Sequence, residues 1–342
     1  MSDRAFAVIS LLGEVPGLED APAAPQTESP TASAAVGPFR VIAVDDAASA
    51  DEIVEAVAAA SVFTPWILLA RADQHEQVAD VVERVLDGAI GVFGLAGVVI
   101  VGGDVPSVVG RREVPAIGGV GDAAAAIRAL AADIDARGPR VPEPWARVIA
   151  SSRTDVALRA LFARRALVDD PAYRPRALTE AQLSLLRDVS RRIVPQDGPA
   201  VIDLAARVDR IVADGDSDGW RPSGMSSDAE AYRAGLDALA TGWMRGAEAQ
   251  DGVIRDVIDG RGPDGGVLTP KQLSLWFEDA RNDLIRMWLS HPASLARVGY
   301  TGFATGGTGP EPAGYLVLAA GEREEWEPDE LGRLAPVEGR SE

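Results

Sequence analysis

Three aspartates near the middle of the chain have the spacing of a partial metal-binding loop. Asp214, Asp216 and Asp218 precede Gly219, which matches oxygen ligands at positions 1, 3 and 5 and the glycine at position 6 of a calcium loop. Position 12, which normally supplies a bidentate glutamate, is Met225. We therefore interpret the segment as an Asp- and Gly-rich helix terminator, with a weak calcium site as the alternative.

A glycine-rich segment, Gly118-Gly-Val-Gly121, runs into a predicted helix at Asp122. Backbone N–H groups in such a turn can bind phosphate. The glycine spacing differs from the dinucleotide fingerprint, and the segment follows the last predicted strand rather than the first. A carboxylate at the cap would also repel an anion, so the segment is interpreted as a loop-to-helix turn.

Acid/base catalysis is suggested by Asp73 and Glu76 on either side of His75. The two acids also have the spacing of a capping box, which favours a solvated first helical turn. The chain has no cysteine and two histidines, His75 and His291, which excludes disulfides and thiolate chemistry and argues against a His-rich metal site. No catalytic residue and no metal site is therefore predicted.

The charge of the chain argues against two classes of partner. Lys and Arg number 33 against 52 Asp and Glu, a net charge of −19 that repels phosphate backbones and anionic lipid headgroups. The apolar run Ala5–Leu12 is short for a signal peptide, and no run approaches the ~20 apolar residues of a membrane-spanning helix. A cytoplasmic protein without nucleic-acid binding or membrane insertion is expected.

The elements that would position these residues fall into two groups. Residues 1–37 are an N-terminal segment with a flexible Pro/Ala linker. Short β-branched or apolar runs then alternate with helical patterns: strands at Arg40–Val44, Trp66–Ala70 and Val98–Val101, helices beginning near Ser49 and Asp73, and a third at Ala123–Ala136. This alternation predicts a small parallel three-layer α/β domain at residues 38–137.

The remainder has helical patterns. A connector with a helix, residues 138–177, begins with a proline-rich junction. An all-α helical domain is predicted over 178–327 and a tail over 328–342. Three capping boxes mark helix starts, at Thr179–Gln182, Ser227–Glu230 and Thr269–Gln272. His291-Pro292 is expected to end the last long helix.

Within this second domain the segment Leu178-Thr-Glu-Ala-Gln…Arg191-Arg-Ile-Val-Pro195 resembles the opening of the gluconate 2-dehydrogenase subunit 3 family. Asp218–Pro222, Asp228–Asp237 and His291-Pro…Gly302…Gly314-Tyr315 follow in the family's order. The resemblance covers about residues 178–327, less than half of the chain.

The resemblance implies a non-catalytic accessory subunit that pairs with a large FAD-dependent dehydrogenase of the GMC type. That partner would hold the FAD and oxidise a sugar, a sugar acid or another alcohol, and this chain would hold no cofactor. Two departures matter. Asp3-Arg4-Ala5 lacks the twin-arginine signal common in the family, and the α/β domain lies outside the resemblance.

An alternative hypothesis uses that α/β domain. A stand-alone nucleotide-sugar-binding or transferase-like enzyme would hold its ligand at the carboxyl ends of the strands, near Asp45, Asp46, Asp73 and Asp104. Carboxylates at that edge could hold a divalent metal.

A partner interface is predicted where aromatic and arginine side chains occur in irregular or glycine-flanked segments. Such segments lie on the surface, and Trp, Tyr and Arg are enriched at binding hot spots. The predicted interface residues are Trp220, Arg221, His291, Arg297, Tyr300 and Trp326. The competing interpretation is that Trp220 folds back onto its own domain and Tyr300 fills a gap in the core.

Overall fold

The computed structural model describes residues 32–36, 39–44, 49–61, 65–87, 94–198, 200–215, 224–243, 246–263, 266–304 and 315–329. The described residues form two compact units. The first, the α/β unit, contains residues up to Asp170 and again from His291 onwards; the second, the helical unit, contains Pro171–Ser290. An α/β region and a helical part were both expected from the sequence, and both are present.

The α/β unit is built on one five-stranded sheet with the order β1-β2-β3-β4-β5. The strands are β1 (Ala32–Val36), β2 (Phe39–Ala43), β3 (Trp66–Arg71), β4 (Leu95–Val101) and β5 (Ala116–Val120). Strands β2 to β5 are parallel, and β1 is antiparallel to β2. The three predicted strands correspond to β2, β3 and β4.

Two strands were not predicted. β1 lies in the segment interpreted as a flexible linker, and β5 contains Gly118 and Gly119 from the segment interpreted as a turn. Neither has a run of β-branched residues, so local propensity gives no strand signal. Pairing with β2 and β4 places them in the sheet.

Twelve α-helices are found in the described residues. They are α1 (Ala50–Ser61), α2 (His75–Leu86), α3 (Ser107–Arg111), α4 (Ala123–Arg137), α5 (Glu143–Ala150), α6 (Val156–Arg165), α7 (Glu180–Ile193), α8 (Leu204–Asp214), α9 (Asp228–Ala240), α10 (Ala247–Ile258), α11 (Pro270–Ser290) and α12 (Pro292–Val298).

Both faces of the sheet are covered, because strand side chains alternate between two apolar clusters. Leu68 and Ile100 face a cluster that includes α1, α2, α5 and α6. Ile67 and Val99 face a smaller cluster with Ile127 and its neighbours on α4. Helices on both faces are the usual arrangement of a parallel sheet, whose strands are buried on each side.

The chain returns to the α/β unit after α11. Phe303, at 6% exposure, packs edge-on against Phe162 with ring centroids 5.0 Å apart, and lies 6.4 Å from Trp145. Leu295 and Ala296 of α12 belong to the same cluster. The predicted boundary instead placed residues 291–327 with the helical domain. Helical periodicity shows which face of a segment is buried, but not which of two cores buries it.

The helical unit contains α7 to α11 around a core that includes Leu183, Leu236, Trp276 and Phe277. The predicted capping boxes are present at all three helix starts. The side chains of Thr179 and Gln182, of Ser227 and Glu230, and of Thr269 and Gln272 each bond the other residue's backbone N–H.

A buried carboxylate joins the start of this unit to α8. Asp209 is fully buried and accepts hydrogen bonds from the Tyr173 hydroxyl at 2.6 Å and from the backbone N–H groups of Arg176, Ala177 and Leu178 at 2.6, 3.1 and 2.8 Å. Four donors thus converge on one side chain. The carboxylate therefore supplies the hydrogen-bond acceptor that a helix or strand would otherwise supply for the backbone N–H groups of residues 176–178.

A buried tyrosine makes the stability of the helical unit sensitive to pH in the alkaline range. The Tyr232 hydroxyl donates to Asp283 Oδ2 at 2.7 Å, and burial, together with the negative charge of Asp283, raises its pKa well above the usual value. Tyrosines of the unfolded chain ionise at about pH 10, so above that pH the folded state retains protons that the unfolded state has lost. The free energy of unfolding should therefore be fully retained below that pH and should fall above it.

Urea unfolding between about pH 9 and about pH 11 tests this expectation. Tyr232→Phe should reduce the decline by about 1.4 kcal/mol per pH unit, the contribution of one proton. Tyr173→Phe should act in the same direction, because burial and the hydrogen bond to Asp209 also raise the pKa of Tyr173. An unchanged decline in both variants would contradict the assignment.

Candidate functional site

The predicted interface residues that the structure describes lie in the returning part of the α/β unit. His291, Arg297 and Tyr300 belong to the segment around α12, and Trp326 lies further along. Trp220 and Arg221 lie outside the described residues.

His291 is a capping residue. α11 ends at Ser290, where the His-Pro pair was predicted to stop it, and His291 then serves as the N-cap of α12. Its Nδ1 accepts from the Ala293 N–H at 3.1 Å, and the residue is 1% exposed. The side chain is therefore not available at the surface to a partner. A histidine can act as a neutral acceptor at a cap, a use that residue type alone does not reveal.

Arg297 and Tyr300 lie at the end of α12. Arg297 is half-buried in the last turn, and Gly299 ends the helix with a positive φ of 68°. The Tyr300 N–H then donates back to the Leu295 carbonyl at 3.0 Å. This left-handed cap fixes the direction in which the chain leaves the helix.

The Tyr300 ring lies at the surface on a support of small and aromatic residues. It is 52% exposed, its centroid lies 6.5 Å from that of Phe303, and a Cβ on Gly302 would be only 2.5 Å from its hydroxyl. The ring therefore occupies space that exists because residue 302 is glycine. Tyr300 does not fill a core gap; it presents one side to solvent.

Trp326 packs against the core of the α/β unit. Its ring lies 5.6 Å from that of Tyr315, and the Arg153 guanidinium stands 5.0 Å over the indole. These contacts account for most of the ring as local packing, so the structure favours that role over a direct contact for the indole itself.

A polar network closes the C-terminal loop, defined here as residues 315–329, onto the end of α12. The Thr301 hydroxyl donates to Glu327 Oε1 at 2.6 Å and lies 3.1 Å from the Tyr315 hydroxyl oxygen, which donates to it. The Glu324 N–H donates to Glu327 Oε2 at 2.9 Å. These bonds hold the beginning and end of the loop at defined positions.

The same loop exposes two leucines. Leu316 and Leu318 are 83% and 86% exposed. The backbone N–H groups of Leu316 and Val317 donate to Glu324 Oε1, the second at 2.8 Å. The leucines were not singled out in the sequence. The available signal was an uncharged apolar run, Tyr315–Ala320, in a segment without helical periodicity.

The carboxyl edge of the sheet holds the residues of the alternative hypothesis. Asp73 pairs with Arg71, with Oδ1 and Nε 3.2 Å apart. A Cβ on Gly103 would lie 2.5 Å from Ala72 Cβ and 4.0 Å from His75 Nε2, so the loops after β3 and β4 are in close contact. Asp104 is exposed at this edge, whereas Asp45 and Asp46 lie outside the described residues.

The predicted Asp73–Glu76 capping box is wrong. A short 3-10 turn, Ala72–Gln74, precedes α2. Arg71 is the N-cap of that turn, and Gln74 takes the N-cap position of α2 without a side-chain capping bond. Buried Gln74 accepts from the Arg71 N–H at 2.9 Å and donates to the Val44 carbonyl at 3.1 Å. The one amide group thus pairs with a backbone N–H at the end of β3 and with a backbone carbonyl just after β2. An ionised carboxylate, which only accepts, could not bond the carbonyl.

The glycine-rich segment is part strand and part turn. Gly118 and Gly119 lie in β5, and the Gly119 N–H donates to the Gly103 carbonyl at 2.7 Å. Asp122 is the N-cap of α4, as predicted, and its Oδ1 accepts from the Ala125 N–H at 2.9 Å. The position that a bound phosphate would take at this helix start is occupied by the Asp122 carboxylate.

Of the weak calcium candidate, Asp216 and Asp218 lie outside the described residues. Asp214 Oδ1 forms an ion pair with Arg176 Nη2 at 2.5 Å. In the ranges that the structure describes, no group of three or more histidine or carboxylate side chains is placed to hold a metal ion.

Comparison with protein-family models, with curated proteins and with solved structures returned no match. None of the helices in the described residues has both the length and the apolar character needed to cross a bilayer.

Proposed function

We propose that this chain is the non-catalytic accessory subunit of an FAD-dependent oxidoreductase of the GMC type. The partner subunit would hold the FAD and oxidise a sugar, a sugar acid or another alcohol. The ordered motifs over residues 178–327 suggest the family, and one structural observation carries the proposal: the motif around His291–Gly302 ends in a half-exposed aromatic side chain on a fixed support.

The support makes Tyr300 suitable as a binding anchor. Its ring rests on Gly302 and Phe303, and Phe303 in turn packs on Phe162 in the core. An aromatic side chain held in this way loses little conformational freedom on binding, and tyrosine supplies both apolar area and a hydroxyl. Arg297, one helical turn before it, supplies a planar hydrogen-bond donor suited to carboxylates and carbonyls.

Binding to the flavoprotein subunit tests the proposal. Co-expression of the tagged chain with a GMC-type flavoprotein subunit, taken from an adjacent reading frame, should yield a yellow complex, whereas the purified chain alone should be colourless. Tyr300→Ala and Arg297→Ala should each weaken the complex by about 2 kcal/mol, roughly 30-fold in Kd, with little change in melting temperature. Isothermal titration calorimetry and thermal unfolding measure the two quantities.

Ile258→Ala is the matched control, because Ile258 is a large apolar side chain as exposed as Tyr300 (48% against 52%) and is not one of the predicted interface residues. Its binding should equal that of the unaltered chain. Stoichiometric FAD on the isolated chain would contradict the proposal. A chain that binds a nucleotide sugar and ignores the flavoprotein would favour the alternative hypothesis instead.

A further inference from the structure

The C-terminal loop presents its two leucines in a fixed position. Leu316 and Leu318 are two residues apart and almost fully exposed. The backbone between them cannot turn freely, because the N–H groups of residues 316 and 317 both donate to Glu324 Oε1. Exposed apolar side chains on a hydrogen-bonded loop are preorganised for burial by a partner, since little loop entropy is lost on binding.

The loop also has a charge pattern. Glu322, Glu325 and Asp329 are exposed, and none has an ion-pair partner in the described part of the chain. Arg323, the one basic residue of the loop, donates from Nη1 to the Pro328 carbonyl at 2.6 Å. The leucines are therefore accompanied along the loop by carboxylates that the described structure leaves available.

We propose that residues 315–325 dock into an apolar groove of the flavoprotein subunit, and that arginine or lysine side chains border this groove. The inference rests on the proposed function, because it takes the flavoprotein subunit as the partner that receives the loop. Leucines would fill the groove, and the rim carboxylates would pair with its basic border, as the apolar centre and polar rim of protein interfaces require. A second copy of this chain is a poor partner for the loop, since it would bring the same acidic loop to the contact.

The inference predicts a loss of affinity for substitutions at the two leucines. Leu316→Asp and Leu318→Asp should each weaken flavoprotein binding by about tenfold or more, because each removes an apolar side chain from the groove and puts a carboxylate there at the cost of its hydration. Val267→Asp is the control: Val267 is 84% exposed, but it lies outside the C-terminal loop, so the loop inference predicts no change in its Kd. Calorimetry gives the affinities, and circular dichroism shows that each variant is folded.

The charge part of the inference has a separate readout. Glu322→Lys with Glu325→Lys should slow association and reduce its dependence on salt, as expected for rim charges. Glu76→Lys with Glu83→Lys, at two exposed positions on α2, changes the net charge by the same amount and is the matched control. If a leucine variant is unfolded, Leu316→Ser and Leu318→Ser replace it.

Each outcome distinguishes the two proposals. If the flavoprotein does not bind the unaltered chain, the proposed function fails, and the loop inference, which needs the flavoprotein as its partner, fails with it. If it binds the unaltered chain and all loop variants equally, the loop inference is overturned and the proposed function stands. A dimer of the chain that Leu316→Asp dissociates would overturn the inference in favour of a second copy.

Discussion

Replacing Asp209 by alanine is expected to destabilise the helical unit by about 4 kcal/mol. The buried carboxylate accepts from one hydroxyl and three backbone N–H groups, and alanine would leave all four donors without this acceptor. Each buried unsatisfied polar group costs ~1–3 kcal/mol, and partial relaxation with entry of water reduces the total. Hydrogen exchange of the amides of Arg176, Ala177 and Leu178 measures the local effect, and urea unfolding measures the global one.

The matched control is Asp214→Ala, five residues further along α8. Asp214 is exposed and pairs with exposed Arg176, an arrangement that contributes at most ~1 kcal/mol. Asp209→Asn should be intermediate, because the amide keeps one acceptor oxygen but presents its NH₂ group to donors. Equal, small losses in Asp209→Ala and Asp214→Ala would show that the segment 173–178 is held by other contacts.

Local signals in the sequence were sufficient for helix starts and buried strands. The three predicted Thr/Ser–Gln/Glu capping boxes of the helical unit are observed, because both partners of each box lie within four residues. The runs at β2 to β4 were predicted for a similar reason: strands buried on both faces read as continuous apolar segments.

Residues whose partners are distant in sequence were not predictable in this way. Asp209 bonds a segment more than 30 residues away, and Gln74 bonds Val44. A polar residue on the buried face of a helix or turn gives no sign of its acceptor role until the partners are placed. The sequence failed for the same reason to assign residues 291–304 to the α/β core, because either of two apolar cores can bury an amphipathic segment.

The candidate interface was predictable only in part. Tyr300 is at the surface, and Leu316 and Leu318 are far more exposed than the predicted Trp326. Tryptophan in a polar segment suggested an interface residue, but the Trp326 ring packs against Tyr315 and beneath the Arg153 guanidinium. The capacity of a surface aromatic to bind a partner depends on neighbours that a linear pattern does not show.

Replacing Gly235 should give the largest packing effect in the helical unit. Gly235 lies within α9, and a Cβ there would be 2.2 Å from Cε3 and 2.3 Å from Cδ2 of Trp276 on α11. Trp276 cannot readily move aside, because it is buried and packs edge-on against Tyr232 with centroids 5.7 Å apart. We expect Gly235→Val to lower the free energy of unfolding by about 3 kcal/mol or more, the upper range for overpacking a core.

The sign of the change in the free energy of unfolding on Gly→Ala substitution separates a packing effect from an effect of helix propensity. Alanine is favoured over glycine by ~1 kcal/mol inside a helix. Gly252→Ala on α10 should therefore stabilise the protein, because beyond its chain neighbours and the helix backbone no atom lies within 4 Å of the new Cβ. Gly235→Ala should destabilise it despite the same gain in propensity. Combining Gly235→Ala with Trp276→Leu should recover part of the loss, because the smaller side chain makes room for the new methyl group. If urea unfolding shows both alanine variants to be stabilised, the close approach of α9 and α11 at Gly235 is wrong.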